Sequence, residues 1–290
     1  FGSSRVAPFC AGPCSSSLSA ALMAFLRPTR RPLLATATFL LSWQTSQLVK
    51  TVFVGGSSVA RQVQVARYAD SYSLRYFDVR GAAETIRLLL AAAGQDYEDN
   101  RYPLSFGVPG DFSTIVRKEF DDDKASGKLD IALGKVPVLE VGDFSLPQSK
   151  AIERYLARKL DMMGDSEEEE ALVDAMAEHV RDINDAYQRK GVFFMKDEEK
   201  KAELQKKWYE EELPDWLSKL EKALPGSGGF AVGSKASLAD VVIFKLLKDT
   251  YPDDVSAAYD ACPKIKAIVE GIEKNEGITK WLEERPKTFI

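Results

Sequence analysis

Lys135-Val136-Pro137-Val138-Leu139-Glu140-Val141-Gly142-Asp143-Phe144-Ser145-Leu146-Pro147-Gln148-Ser149 is the stretch on which the fold turns. Its β-branched and aliphatic residues at 135–141 predict a strand, Gly142-Asp143 a hairpin turn, and residues 144–146 the returning strand. Residues 149–160 then predict a helix with Ala151, Ile152, Tyr155 and Leu156 turned inward. Pro137 is out of place in this pattern, because a proline inside a strand removes a ladder hydrogen bond. Two readings answer it. Either Pro137 is a trans residue at the head of the strand, or the Val136-Pro137 bond is cis and turns the N–H and C=O of Val136 outward, where an extended peptide can pair with them.

Toward the N-terminus, Tyr72-Ser-Leu-Arg-Tyr76-Phe predicts another strand, followed by Arg80-Gly81 and a helix whose Ile86, Leu89, Leu90 and Ala93 repeat at helical spacing until Gly94. Residues 97–102 predict a second strand, and 111–128 a short helix with a charged loop. The order β-α-β-α-β-β-α is that of a thioredoxin-like α/β domain, bounded at 70–161. Residues 162–165 are the linker, Ser166 is a helix cap with Glu169 closing a capping box, and all of 166–290 reads as helix. Leu172, Met176 and Val180 mark one long helix, residues 198–222 another, and 238–247 an apolar central one opened by the capping pattern Ser237-Leu-Ala-Asp240. The glutamates at 167–170 suit the positive end of a helix dipole.

The first 69 residues are different. They hold seven of the 39 basic residues and none of the 44 acidic ones, with much Ser, Thr and Ala, the composition of an organelle-targeting presequence for a mitochondrion or plastid. Met23 is a candidate start, with residues 1–22 read through from an untranslated leader; a cytoplasmic protein is the alternative. The apolar run at 33–43 is too short to span a bilayer, so no integral membrane segment is expected. From Asp70 onward the net charge is −12, which excludes a basic nucleic-acid surface. Cys10, Cys14 and Cys262 cannot build a disulfide framework. His179 is the only histidine and reads as a helix-surface residue, so no metal site is expected.

At Gln148-Ser149 a strand hands over to a helix, where unpaired N–H groups and the positive dipole end converge. With the Ser149 hydroxyl and the Gln148 amide, this end can hold the carboxylate and amine of an amino-acid head group. The simpler alternative is that Ser149 is only the helix cap. Tyr76, on its own, is an ordinary strand aromatic.

Taken together, Tyr72-Ser-Leu-Arg-Tyr76-Phe-Asp-Val-Arg80-Gly81, Gly134-Lys-Val-Pro137-Val-Leu-Glu, Gln148-Ser149-Lys-Ala-Ile-Glu-Arg-Tyr155-Leu, Val173-Asp-Ala, Arg181-Asp182, Ser237-Leu-Ala-Asp240 and Trp281-Leu-Glu-Glu-Arg285-Pro resemble the soluble glutathione transferases. The resemblance is nearest the sigma class and its haematopoietic prostaglandin D synthase relatives, and covers essentially everything after residue 71. It implies the glutathione transferase fold, glutathione as co-substrate with no resident cofactor, and a role in detoxification by conjugation to small hydrophobic electrophiles. Tyr76 matches the catalytic tyrosine whose hydroxyl holds the glutathione sulfur. Gln148 and Ser149 match the binders of the γ-glutamyl group, and Val136 and Pro137 the pair that meets the cysteinyl backbone, with Lys135 beside them. Asp182 matches a residue that reaches the neighbouring subunit's glutathione, so a homodimer is implied. Tyr187, Phe193 and Phe194 fall where the resembling enzymes line the apolar co-substrate's pocket, although core packing serves the two phenylalanines equally well.

The chain also departs from the pattern. Ala82 stands where an arginine usually supports the tyrosine, Pro147 precedes Gln148-Ser149, and the segment before Lys135 is long and acidic at 121–123, so that the resemblance assigns no residue to the glycyl carboxylate and leaves Arg117 and Lys118 as candidates. A glutathione-dependent isomerase and a non-catalytic binding or structural protein of the same fold remain alternatives. A thiol-disulfide enzyme needs a cysteine where this chain has Tyr76.

Overall fold

Alternation in Tyr72-Ser-Leu-Arg-Tyr-Phe sends Tyr72 and Leu74 into a core and leaves Ser73 and Arg75 half-buried, which is what a strand with one covered face requires. In the computed structural model, residues 71–108, 111–251 and 254–288 are described, and all belong to one compact unit. The reading of residues 1–69 as a targeting segment lies outside them.

The first half runs β1 (Tyr72–Phe77), α1 (Glu84–Ala92), β2 (Glu98–Tyr102), β3 (Ser105–Phe106), β4 (Ile115–Val116), α2 (Lys118–Ala125), β5 (Val138–Val141), β6 (Phe144–Pro147) and α3 (Ser149–Lys159). Four strands form one sheet in the order β2-β1-β5-β6; β2 lies parallel to β1, and β5 and β6 are antiparallel to their neighbours. This is the expected thioredoxin-like sheet. Leu74, Leu139 and Val141 pack with Ile86 and Leu90 of α1 and with Ile152 and Leu156 of α3. Tyr102 and Val138 pack with Phe120 of α2, Leu129 and Ala132.

The second half is helical: α4 (Glu167–Gln188), α5 (Glu198–Lys207), α6 (Leu213–Ala223), α7 (Leu238–Lys245), α8 (Pro263–Glu273) and α9 (Glu276–Glu284). Its α7 is central and packs on α1, α3, α4 and α8. Asp240 is fully buried there, accepting from the N–H and hydroxyl of Ser237 at 2.8 and 2.6 Å and from the N–H of Ala231 at 2.7 Å, so the Ser237-Asp240 capping pattern is built.

Several boundaries differ from expectation. The strand expected over 135–141 starts only at Val138, because Pro137 has no N–H for the ladder. The helix expected over 198–222 is interrupted by a π-helical turn, Trp208–Glu212, just ahead of Pro214, whose ring has no place in a continuous α-helical ladder. A second π-helical turn, Leu246–Thr250, ends α7 earlier than 247. In α4 the inward stripe is Val173, Met176, Val180 and Ile183, with Leu172 exposed, a one-residue change of phase. Ala151 and Ala93 also face outward. The small antiparallel pair β3 and β4 was not legible, since two-residue strands carry no period.

Candidate active site

The Val136-Pro137 bond is cis. Of the two readings of Pro137, this is the one that frees Val136: neither its N–H nor its C=O has a partner among the described residues. Gln148 occupies the N-cap position of α3 with φ 75°, a left-handed conformation that costs a non-glycine residue on the order of 1 kcal/mol or more. Its side chain is exposed and makes no capping bond, and Ser149 is the first helical residue rather than the cap. Among the described residues the Gln148 amide, the Ser149 hydroxyl and the first N–H groups of α3 have no protein partner and are open to an anionic head group. Lys135 is exposed nearby in sequence, with no ion pair among the described residues.

Tyr76 lies at the end of β1, and its hydroxyl oxygen accepts from the N–H of Ala82 at 3.1 Å. The turn that brings Ala82 back to it depends on Gly81, which has φ 40° and where a Cβ would sit 2.7 Å from the Tyr76 hydroxyl. Only glycine satisfies both the dihedral and the space. With the oxygen's lone pair engaged by Ala82, the phenolic proton is left to donate elsewhere.

A chain of ion pairs braces this turn. Arg87 of α1 is fully buried, donates to the Val79 carbonyl at 2.7 Å and to Asp99 at 3.1 Å, and sets its guanidinium 5.9 Å from the centre of the Tyr76 ring. Glu84 is equally buried and meets Arg285 at 2.6 Å, the Trp281 indole N–H at 2.9 Å and Arg87 at 3.5 Å. Arg285 also reaches Asp249 at 2.8 Å, and Asp249 takes Arg80 at 2.8 Å. The C-terminal helix is thus tied to both ends of the loop that carries Gly81 and Ala82. Sequence reading missed Glu84, Arg87 and Asp249. The signal was present, because charged residues inside runs as apolar as Glu84-Thr-Ile-Arg87-Leu-Leu-Leu and Val241-Val-Ile-Phe-Lys245-Leu-Leu-Lys-Asp249 must be paired or functional.

Beside Gly81, Ala82 and Ser149 opens a cavity of about 830 Å³ between α1 and α3 on one side and α4 and α7 on the other. Tyr187, Phe193 and Phe194 all line it, with the two phenylalanines exposed and stacked edge to face at 4.9 Å. Val180, Leu238, Val242, Leu246 and Tyr251 add to its apolar wall. Lys245 also lines it, and burial pulls its ammonium below the ordinary lysine range against the opposing pull of Asp249 and Glu84.

Asp182 is exposed on α4, as is His179. Arg117 pairs with Asp121 at 3.3 Å and Lys118 with Asp122, each within α2, so both glycyl-carboxylate candidates already have a carboxylate of their own. Among the described residues no cluster of His, Cys, Asp and Glu has the grouping of a metal site, and no helix is long and apolar enough to cross a membrane.

Residues 72–158 match the family model of the glutathione S-transferase N-terminal domain, and residues 184–285 that of the C-terminal domain. The chain is 31% identical over 230 residues to a glutathione S-transferase of Plasmodium falciparum, covering 76% of this chain and 98% of the relative. It is 32% identical over 228 residues to the hematopoietic prostaglandin D synthase of Gallus gallus, covering 76% and 99%. Among solved structures it is similar to the monomeric glutathione S-transferase of the hookworm Necator americanus, with a TM-score of 0.59 and 30% identity over 76% of this chain and all of that one.

Proposed function

Because the chain belongs to the glutathione S-transferase family and is an enzyme of that kind, we propose that it conjugates glutathione to small apolar electrophiles and that Tyr76 holds the glutathione sulfur as its thiolate. One observation carries this reading: the Tyr76 hydroxyl accepts from the Ala82 N–H at 3.1 Å, which fixes the phenol and leaves its proton to donate to the sulfur. A free thiol with a pKa near ~8.5 is only a few per cent thiolate at pH ~7. A hydrogen bond to the charged sulfur worth roughly 1.5–3 kcal/mol lowers that pKa by about one to two units, which makes the thiolate a large fraction at neutral pH. The Arg87 guanidinium lies 5.9 Å from the ring centre, which sets a cation beside the phenol without an arginine at position 82. The remaining gain comes from holding the electrophile against the sulfur in the adjoining cavity.

In this reading the cysteinyl backbone pairs with the N–H and C=O of Val136, with Pro137 fixing the turn. The γ-glutamyl carboxylate and amine take the Gln148 amide, the Ser149 hydroxyl and the α3 N-terminus, while Lys135 meets the peptide's remaining negative charge. The nearest class is sigma, supported by the motifs quoted above and by the likeness to the prostaglandin synthase. A homodimer in which Asp182 reaches the partner's glutathione is supported by that side chain's exposure, and residues 1–69 are read as directing the chain to a plastid or mitochondrion.

The test compares the parent with Tyr76→Phe in conjugation of 1-chloro-2,4-dinitrobenzene, together with ultraviolet titration of the bound thiol. The variant is expected to raise the bound thiol pKa by about one to two units and to cut turnover at neutral pH accordingly. Equal turnover with an unchanged thiol pKa would remove Tyr76 from this role. A parent that binds glutathione but conjugates no member of a broad electrophile panel would instead be a binding module.

A further inference from the structure

Among the described residues, six cations line the cavity beside Gly81 and Ala82, and five of them have a carboxylate partner. Arg80 pairs with Asp249 at 2.8 Å, Lys150 with Glu153 at 2.9 Å, Arg154 with Asp174 at 2.6 Å, Arg181 with Glu178, and Lys201 with Glu198 at 3.3 Å. Lys245 is the exception. No carboxylate lies within 4.0 Å of its ammonium among the described residues, and its only protein acceptor there is the Thr250 hydroxyl at 3.3 Å.

The charged groups that surround Lys245 do not supply the missing counter-ion. Asp249, Glu84, Lys150 and Glu153 are the ones that act on it. Asp249 is held between Arg80 and Arg285, Glu84 between Arg285 and the Trp281 indole, and Glu153 is taken by Lys150. Leu238, Val242 and Leu246, on α7 and its extension, line the same cavity as Lys245. A part-buried lysine whose ammonium has one hydroxyl acceptor and no carboxylate, with two donors unspent, has lost hydration without gaining a counter-ion. The partner that would complete it is an anion arriving with a ligand.

We propose that Lys245 selects the co-substrate: the cavity takes an apolar, ring-sized electrophile that carries a carboxylate, seated with that carboxylate on the Lys245 ammonium and the Thr250 hydroxyl beside it. This rests on the reading of the cavity as the electrophile's seat and deepens it. The apolar part of the molecule lies along Leu238, Val242 and Leu246, and the reacting carbon turns toward the Tyr76 side, where Gly81 and Ala82 form the rim.

Binding without turnover tests it, so that failure of conjugation and failure of this proposal read separately. Titration calorimetry of the full chain with 1-naphthoate and with the neutral isostere 1-naphthamide is expected to show about tenfold tighter binding of the carboxylate. Lys245→Met should abolish that preference, and Lys245→Arg should keep most of it, while thermal unfolding of each variant shows that it is folded. Saturating S-methylglutathione should leave naphthoate binding in place. Equal affinity of the two naphthalenes for the parent overturns the proposal without reference to any variant, as does a carboxylate preference that survives in folded Lys245→Met. Displacement of naphthoate by S-methylglutathione also overturns it, because the ammonium would then serve a carboxylate of glutathione itself.

Discussion

The two ends of the proposed glutathione site are built in opposite ways. At the sulfur end, around Tyr76, nearly every polar group has a protein partner: Ala82 donates to the phenol, and Arg87 ties the preceding carbonyls to Glu84 and Asp99. Arg80, Arg285 and Asp249 close the ring behind them. At the peptide end, from Val136 to Ser149, the polar groups are unspent: a free N–H and C=O at Val136, an amide at Gln148 with no capping bond, and a hydroxyl at Ser149. The difference follows the task. Chemistry at sulfur needs a donor that does not move when charge develops, so its surroundings are arranged in advance. Recognition of a peptide needs groups whose only good partners come with the ligand. Substitutions at the first end should therefore be felt as losses of stability and kcat, and those at the second as a higher KM without loss of stability.

Arg87→Met is the strongest challenge to that division. It removes a fully buried guanidinium from between Glu84, which keeps Arg285 and the Trp281 indole, and the part-exposed Asp99, which keeps Arg101, and costs about 3 kcal/mol of unfolding free energy. Urea unfolding measures it. A loss under about 1 kcal/mol would mean that the network does not brace the loop.

Gly81→Ala comes next. Its Cβ would sit 2.7 Å from the Tyr76 hydroxyl at a φ of 40°, so the loop must shift and carry the Ala82 N–H with it. A displacement of that order costs on the order of 100-fold in kcat, with about 1–2 kcal/mol of stability. Steady-state conjugation kinetics and thermal unfolding separate the two. An intact kcat would show that the Ala82 contact is not what orients the phenol.

At the open end the same logic predicts the reverse. Ser149→Ala removes a hydroxyl that no group among the described residues uses, so stability should move by less than about 0.5 kcal/mol. The lost hydrogen bond to a charged head group should raise the KM for glutathione about tenfold. Gln148→Gly is the sharper variant: it relieves the φ of 75°, stabilising the fold by up to about 1 kcal/mol, and still weakens glutathione. A destabilised Gln148→Gly would contradict the account of a residue held strained for its ligand.

The same contrast explains how much of the molecule was legible in the sequence. The open end stood out in the sequence, because Pro137 sits at a strand head and Gln148-Ser149 at a strand-helix junction, and the backbone is unusual at both, with a cis bond at the first and a φ of 75° at the second. Tyr76 came only with the surrounding motifs, since a tyrosine in a strand breaks no rule. The bracing behind it was harder still. Glu84, Arg87 and Asp249 look like faults in apolar helices until the fold brings Arg285, some two hundred residues from Glu84, against them. Helix positions survived better than helix ends: α7 and α4 stand where the periodicity put them, while the π-helical turns at Trp208–Glu212 and Leu246–Thr250 shifted the boundaries.

The smallest expected effects concern the lysines near the open end, and they test whether freedom from a protein partner is what marks a glutathione contact. Lys118 and Lys135 are both exposed cations of the chain's first half, and composition alone gives no reason to prefer either. Lys118 is engaged with Asp122 one helical turn on, and a surface pair of this kind holds its charge locally while contributing little to the fold. Lys135 has no carboxylate within reach among the described residues and immediately precedes Val136, whose main chain is also unspent. Lys135→Ala is therefore expected to raise the KM for glutathione about threefold at low salt, an effect that fades as ionic strength screens an exposed charge. Lys118→Ala should leave the KM within about twofold at any salt, because its ammonium is already spoken for. Steady-state kinetics at two salt concentrations compares them directly. If Lys118→Ala weakens glutathione more than Lys135→Ala does, then the Asp122 pair opens for the ligand, and being unpaired in the free protein is not the property that defines the open end.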